Sequence, residues 1–187
     1  MTLRTLMACV LAIAPTSALA ADDGYYDDMQ LVNTFAIGAG AFGFMEMGFD
    51  PGAPVMPMWS VRYGWNPDPA VTWEWAYHGT SDAFDHPDWP LVGSIFETGL
   101  KLNMGAEAST YPIIGLGIGY MAFDGFPEET DYDMVTLPIM AGLEYVADAL
   151  VLDVRATWRP TFMDEGLPFT SLGADSWSIT ADLGTRF

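Results

Sequence analysis

Lysine and arginine are almost absent from this chain. It has six in 187 residues against 25 aspartates and glutamates, a formal charge of −19 at neutral pH. A chain with no basic stripe cannot bind nucleic acid by counterion release. Anionic headgroups also repel it unless divalent cations intervene. Cysteine is limited to Cys9, which excludes an intramolecular disulfide. Cys9 lies within an apolar run instead of after it, which argues against a lipoprotein signal. That run, residues 6–14, is far short of the ~20 residues a membrane-spanning helix needs, and no later segment reads as one. With Arg4 before it and Ala18-Leu19-Ala20 after it, the run instead reads as a secretory signal peptide over residues 1–20, with a mature chain starting at Ala21. Cleavage would remove Arg4 and Cys9, leaving five basic residues against 25 acidic ones, a net charge near −20.

Apolar and aromatic residues are plentiful: 51% of the chain is hydrophobic, with seven Trp, eight Tyr and eleven Phe. They fall at alternate positions instead of in blocks, and the C-terminus shows this best. Trp177, Ile179, Ala181, Leu183, Thr185 and Phe187 share one parity; Ser176, Ser178, Thr180, Asp182, Gly184 and Arg186 share the other. A strand puts these sets on opposite faces, which suits lipid on one side and a polar lumen on the other.

The same alternation predicts eight strands: 34–45, 58–65, 71–80, 91–104, 111–123, 134–146, 150–163 and 175–187. Residues 21–32 form a short aspartate-bearing arm ahead of them. Asn66-Pro67-Asp68-Pro69 reads as a compact turn, because two prolines and an Asn/Asp pair interrupt a ladder. Residues 105–109 and 147–149 are the other short connections. Those after the odd-numbered strands are long. Short turns on one side and long loops on the other define an up-and-down membrane barrel. The expected fold is therefore all-β: an eight-stranded antiparallel up-and-down transmembrane β-barrel over residues 21–187, with both termini and the arm in the periplasm.

Face assignment places all five remaining basic residues, Arg62, Lys101, Arg155, Arg159 and Arg186, on the inward side. Glu74, Glu97, Glu144, Asp153 and Asp182 join them. Pairing offsets the penalty of enclosing charges, and eight strands leave a lumen just wide enough for side chains to fill. A packed, salt-bridged interior without an open pore is expected. The alternative, a soluble sheet with these charges facing water, leaves the balance and the aromatic exterior unexplained. Trp59, Trp65, Tyr77, Tyr111, Tyr120, Tyr145, Trp158 and Trp177 are candidates for interfacial girdles. The first strand, rich in Gly and Ala, does not reveal its phase.

In its leader, strand count, alternating loop lengths and terminal Trp177-to-Phe187 strand, the chain resembles the small outer-membrane β-barrel family that includes the OmpA barrel domain, OmpX and OmpW. The segment Pro112-Ile113-Ile114-Gly115-Leu116-Gly117-Ile118-Gly119-Tyr120 also looks like such barrels. The resemblance implies a Gram-negative outer membrane and cell-envelope setting, lipid and lipopolysaccharide as surroundings, and barrel-assembly machinery reading Trp177 and Phe187 during insertion. It does not imply a wall anchor of the OmpA type, since no peptidoglycan-binding domain follows.

Chemistry is sparse. Tyr77-His78-Gly79-Thr80-Ser81-Asp82 offers a His, a Ser and an acid for acyl transfer, and is loosely similar to the lipid A deacylase pattern. His78 and Ser81 differ in parity, however, so they face opposite sides. His78 reads instead as a lumen residue bonded to a neighbour such as Glu74. The expectation is a non-enzymatic protein with a structural or surface-interaction role. A lipid A or phospholipid-modifying enzyme and a porin-like channel for small hydrophobic solutes are the alternatives. No cofactor is expected. Thirteen acids lie in or beside the long loops: Glu46, Asp50, Asp82, Asp85, Asp88, Asp124, Glu128, Glu129, Asp131, Asp133, Asp164, Glu165 and Asp175. Asp85, Asp88, Asp124, Glu128, Glu129 and Asp131 are candidates for weak Ca²⁺ or Mg²⁺ binding, although no spacing specifies a site.

Overall fold

Residues 33–45, 55–81, 92–105, 108–124, 132–165 and 175–187 are described in the computed structural model. The predicted leader and arm lie outside them. The described chain forms β1 (Thr34–Phe44), β2 (Met56–Asp68), β3 (Val71–Ser81), β4 (Val92–Asn103), β5 (Thr110–Asp124), β6 (Tyr132–Thr136), β7 (Ile139–Ala147), β8 (Leu150–Arg159), β9 (Thr161–Glu165) and β10 (Ser176–Arg186). All pairings are antiparallel, and each wall strand lies beside its neighbour in sequence. β10 pairs along its full length with β1, from Thr34 opposite Arg186 to Phe44 opposite Ser176. That pairing closes the sheet and abolishes its edges.

The ten segments make eight wall strands, as the alternation predicts. β6 and β7 both pair with β5 and are halves of one strand, interrupted at Leu137 and Pro138. β8 and β9 are likewise halves of one strand, interrupted at Pro160. Proline has no N–H to give the ladder, so each break falls where a donor is missing. The proline carbonyls stay engaged: Leu137 N–H donates to Pro160 O and Gly117 N–H to Pro138 O, both at 3.0 Å.

One expected turn moves. β2 continues through Asn66, Pro67 and Asp68, and only Pro69 and Ala70 form the turn. The ladder is irregular between Trp65 and Asp68, where Pro67, with no N–H to give, falls. The Asp68 carboxylate then accepts the Ala70 N–H at 2.8 Å, closing the turn from its own side chain. The hairpin between β7 and β8 has Asp148 at φ 52°, a left-handed conformation that a short polar side chain tolerates.

Burial is inverted relative to a water-soluble protein. Along β8 exposed and buried residues alternate without exception; the exposed set is Leu150, Leu152, Val154, Ala156 and Trp158, and the buried set includes Asp153, Arg155 and Arg159. Buried polar side chains outnumber buried apolar ones among the described residues, while Ile118, Leu143, Val154, Ile179 and Leu183 are each more than half exposed. Such a continuous apolar exterior is stable against lipid, not water. β1 resolves its phase here. Ala36 and Phe42 are buried on the inner face, and Phe35, Ile37 and Ala39 face out.

Candidate functional site

The lumen is the candidate site. It holds all ten charged residues that alternation assigns to it, gathered into three groups along its length. Near the short turns, Glu144 on β7 is a hub. Its carboxylate accepts Lys101 Nζ and Tyr111 Oη, each at 2.5 Å, and Arg186 Nη2 at 2.9 Å. Arg186 also donates to the Tyr111 oxygen. At mid-height Arg155 reaches across the lumen, donating from Nη1 to Glu74 Oε1 at 2.6 Å and clamping Asp153 on its own strand through Nε and Nη2. Beside it Asp182 accepts from both Arg62 and Ser60, and Arg62 Nη2 donates to Thr180 at 2.8 Å.

Arg62 and Asp182 belong to β2 and β10, which flank β1. Their bond passes over the inner face of β1 at Gly38. A Cβ placed there would strike the Asp182 carboxylate and the Ala181 carbonyl. The absence of a side chain at Gly38 is thus what lets the pair meet across the closing seam.

The third group lies toward the long loops. Arg159, fully buried, donates to Glu97 from Nε at 2.5 Å and from Nη2 at 3.3 Å, and to Ser178 from Nη1 at 2.7 Å. His78 Nε2 lies 3.1 Å from Glu97 Oε2. The partner of His78 is therefore Glu97, not Glu74. His78 is level with Ile95 in the β3–β4 register, which makes Glu97 a diagonal neighbour, whereas Glu74 stands four residues away on the same strand.

Above this group the lumen changes character. Phe42, Met56, Met58, Ile95, Met121, Phe123 and Met134 form one buried apolar cluster, with Phe44 packed against it. The Phe42, Phe44 and Phe123 rings meet with centroids 5.1–5.8 Å apart. Sequence reading expected a salt-bridged interior and did not identify this apolar cap. Its signal was present, since Met56 and Met58 lie opposite in parity to Trp59, and Met121 and Phe123 opposite to Tyr120. Tyr111 is a second correction: it is buried in the lumen, not part of a girdle. It shares the parity of Met121, which is buried in the cap.

These side chains occupy the lumen along the described strands. A void of about 10 Å³ lies among Arg62, Glu74, Lys101, Glu144, Asp153 and Arg155. That is about room for one water. Nothing of catalytic geometry emerges around His78: it is buried inside, while Ser81, part-buried, stands on the opposite parity, and Asp82 lies outside the described residues. Of the candidate metal ligands, Asp85, Asp88, Glu128, Glu129 and Asp131 also lie outside them, and Asp124 is exposed at the end of β5. Among the described residues no group of three or more His, Cys, Asp or Glu side chains gathers as a metal site.

On the exterior, Trp177 lies so close over Gly43 that a Cβ there would sit 2.8 Å from the indole. Phe187 ends the chain with its ring more than half exposed. Asn33 and Phe187 exchange backbone bonds at 2.8 and 3.0 Å, extending the closing ladder to the last residue. Trp59, Trp65, Tyr145 and Trp158 are exposed near strand ends. Trp73 Nε1 donates to Thr98 Oγ1 at 2.9 Å, which satisfies its polar atom on the apolar surface.

No protein-family model matches the chain, and no curated protein matches it in sequence. Solved structures do match. Neisserial surface protein A superposes with a TM-score of 0.63 at 13% identity, covering 83% of this chain and 97% of that one. OprG from Pseudomonas aeruginosa gives 0.56 at 12%, covering 83% and 96%. The N-terminal β-barrel domain of OprF from the same organism gives 0.54 at 14%, covering 81% and 97%. At these identities the likeness is one of fold: the chain has the fold of the small eight-stranded outer-membrane β-barrels.

Proposed function

We propose that this chain is a non-enzymatic β-barrel of a Gram-negative outer membrane with a structural or surface-interaction role. In this reading the short turns and Phe187 face the periplasm, and the long acidic connections face outward. The observation that carries this reading is the filled lumen. Ion pairs fill it from the short turns up to Glu97 and Arg159, and a phenylalanine–methionine cap lies above them, with room for about one water at mid-height. On the lipid face the described side chains are overwhelmingly apolar, without the His–Ser pair that acyl transfer would need. Lipid and lipopolysaccharide are the surroundings in this reading, Trp177 and Phe187 are the features the assembly machinery engages, and weak Ca²⁺ or Mg²⁺ binding by the acidic loops would relieve repulsion from lipid phosphates.

The refolded protein in planar bilayers tests the reading. It should show no steady conductance and release no acyl chain from lipid A or phospholipid in detergent. Defined channel openings or deacylation would overturn it. The apolar cap favours one second reading, a channel for small hydrophobic solutes. Uptake of an alkane or an aromatic probe by cells expressing the protein, above that of cells lacking it, would establish that reading instead.

A further inference from the structure

His78 stands where the charged part of the lumen meets the apolar cap. By direct register its rung across the wall runs Ser60, His78, Ile95, Met121, Met134. A hydroxyl lies on one side of it and three apolar residues on the other. Its Nε2 shares the Glu97 carboxylate with Arg159. Its Nδ1 is buried and has no hydrogen-bond partner among the described residues. The charged groups acting on it are Glu97 from β4, Arg62 from β2 and Arg159 from β8. On β10, Asp182 is already engaged by Ser60 and Arg62. β5 and β6 present only Met121 and Met134 at this level.

We infer that His78 is a proton-operated release built into the lumen. With one ring nitrogen protonated, the ten charged lumen residues balance, five against five. A second ring proton adds a positive charge near two arginines and places an N–H on a buried nitrogen that has no acceptor among the described residues. Each is costly in a dry interior. Glu97, held by Arg159 through two bonds, offsets only part of the added charge and offers nothing to Nδ1. The interior relieves them by loosening the Glu97–Arg159 clamp and admitting water, so the barrel is tightest when His78 is neutral and loosens as pH falls. The inference rests on the packed lumen and is independent of the biological role.

Urea unfolding of the refolded full chain in phosphocholine vesicles, from about pH 8 to about pH 5 where histidine ordinarily changes charge, tests it. The wild type should lose stability as pH falls, approaching about a tenfold change in the folding equilibrium per pH unit for one proton. His78→Gln takes no proton and can still donate an amide hydrogen to Glu97, so its profile should be flat. His86→Gln, which alters the only other histidine, should keep the wild-type slope. Equal slopes in the wild type and His78→Gln, or a flat wild type, overturn the inference. If His78→Gln does not fold, ring-labelled histidine in the His86→Gln background provides the second reading. A ring that fails to titrate over the range where stability falls also overturns it.

Discussion

Replacing Arg159 by methionine removes the largest fully buried side chain among the described residues and three hydrogen bonds with it. Glu97 is then left inside the wall with His78 as its remaining partner. Breaking a buried pair from one side costs about 3–5 kcal/mol, because the surviving charge loses its compensation. At about 1.4 kcal/mol per decade, the unfolding equilibrium should shift by roughly a hundredfold to a few thousandfold. Glu97→Leu alone should cost as much, since it strands Arg159. The double variant Arg159→Met/Glu97→Leu removes both charges and should be more stable than either single one, losing mainly what His78 loses when Glu97 goes. Tryptophan fluorescence during urea unfolding in detergent would give all three midpoints. Single-variant costs below about 1 kcal/mol with no coupling are the values of water-exposed pairs. They would refute the claim that this part of the lumen is dry.

Four further outcomes follow from other parts of the barrel. Gly38→Val should prevent the Arg62–Asp182 bond and reduce the fraction that migrates as a compact, heat-sensitive species on gels, beyond the roughly 1–3 kcal/mol of ordinary overpacking. Phe42→Ala should open a void in the apolar cap at a cost of about 3–5 kcal/mol by urea unfolding. Tyr111→Phe should cost about 1 kcal/mol, because Glu144 keeps Lys101 and Arg186, whereas Tyr145→Phe on the exterior should be near neutral in the same assay. Phe187→Asp should lower the folded protein recovered from the outer membrane several-fold; unchanged recovery would count against terminal recognition.

Wherever the two faces of a strand differ in chemistry, the architecture was legible from residue order. On β8 and β10 aliphatic side chains alternate with charge, and the parity of Arg155, Arg159 and Asp182 settled their side of the wall before any geometry was known. Where the faces are alike, parity carries less. Gly and Ala on both faces of β1 left its phase open until register with Asp182 and Met58 fixed it. The cap was hidden for a different reason: methionine and phenylalanine face inward there just as leucine and tryptophan face outward, so polarity no longer marks the side. Pairing across the lumen depends on strand stagger, which no single strand encodes, and this is why His78 meets Glu97 and not Glu74.

Gly38 also bears on how the cylinder comes into being. Arg62 and Asp182 lie 120 residues apart and become neighbours only when β1 is seated between their strands. Until then each is an ion stranded in an unfinished interior. Neutralising the lumen and fastening the sheet into a ring are therefore a single event. A half-zipped barrel carries unmatched ions that the finished ring does not, which disfavours partly closed states.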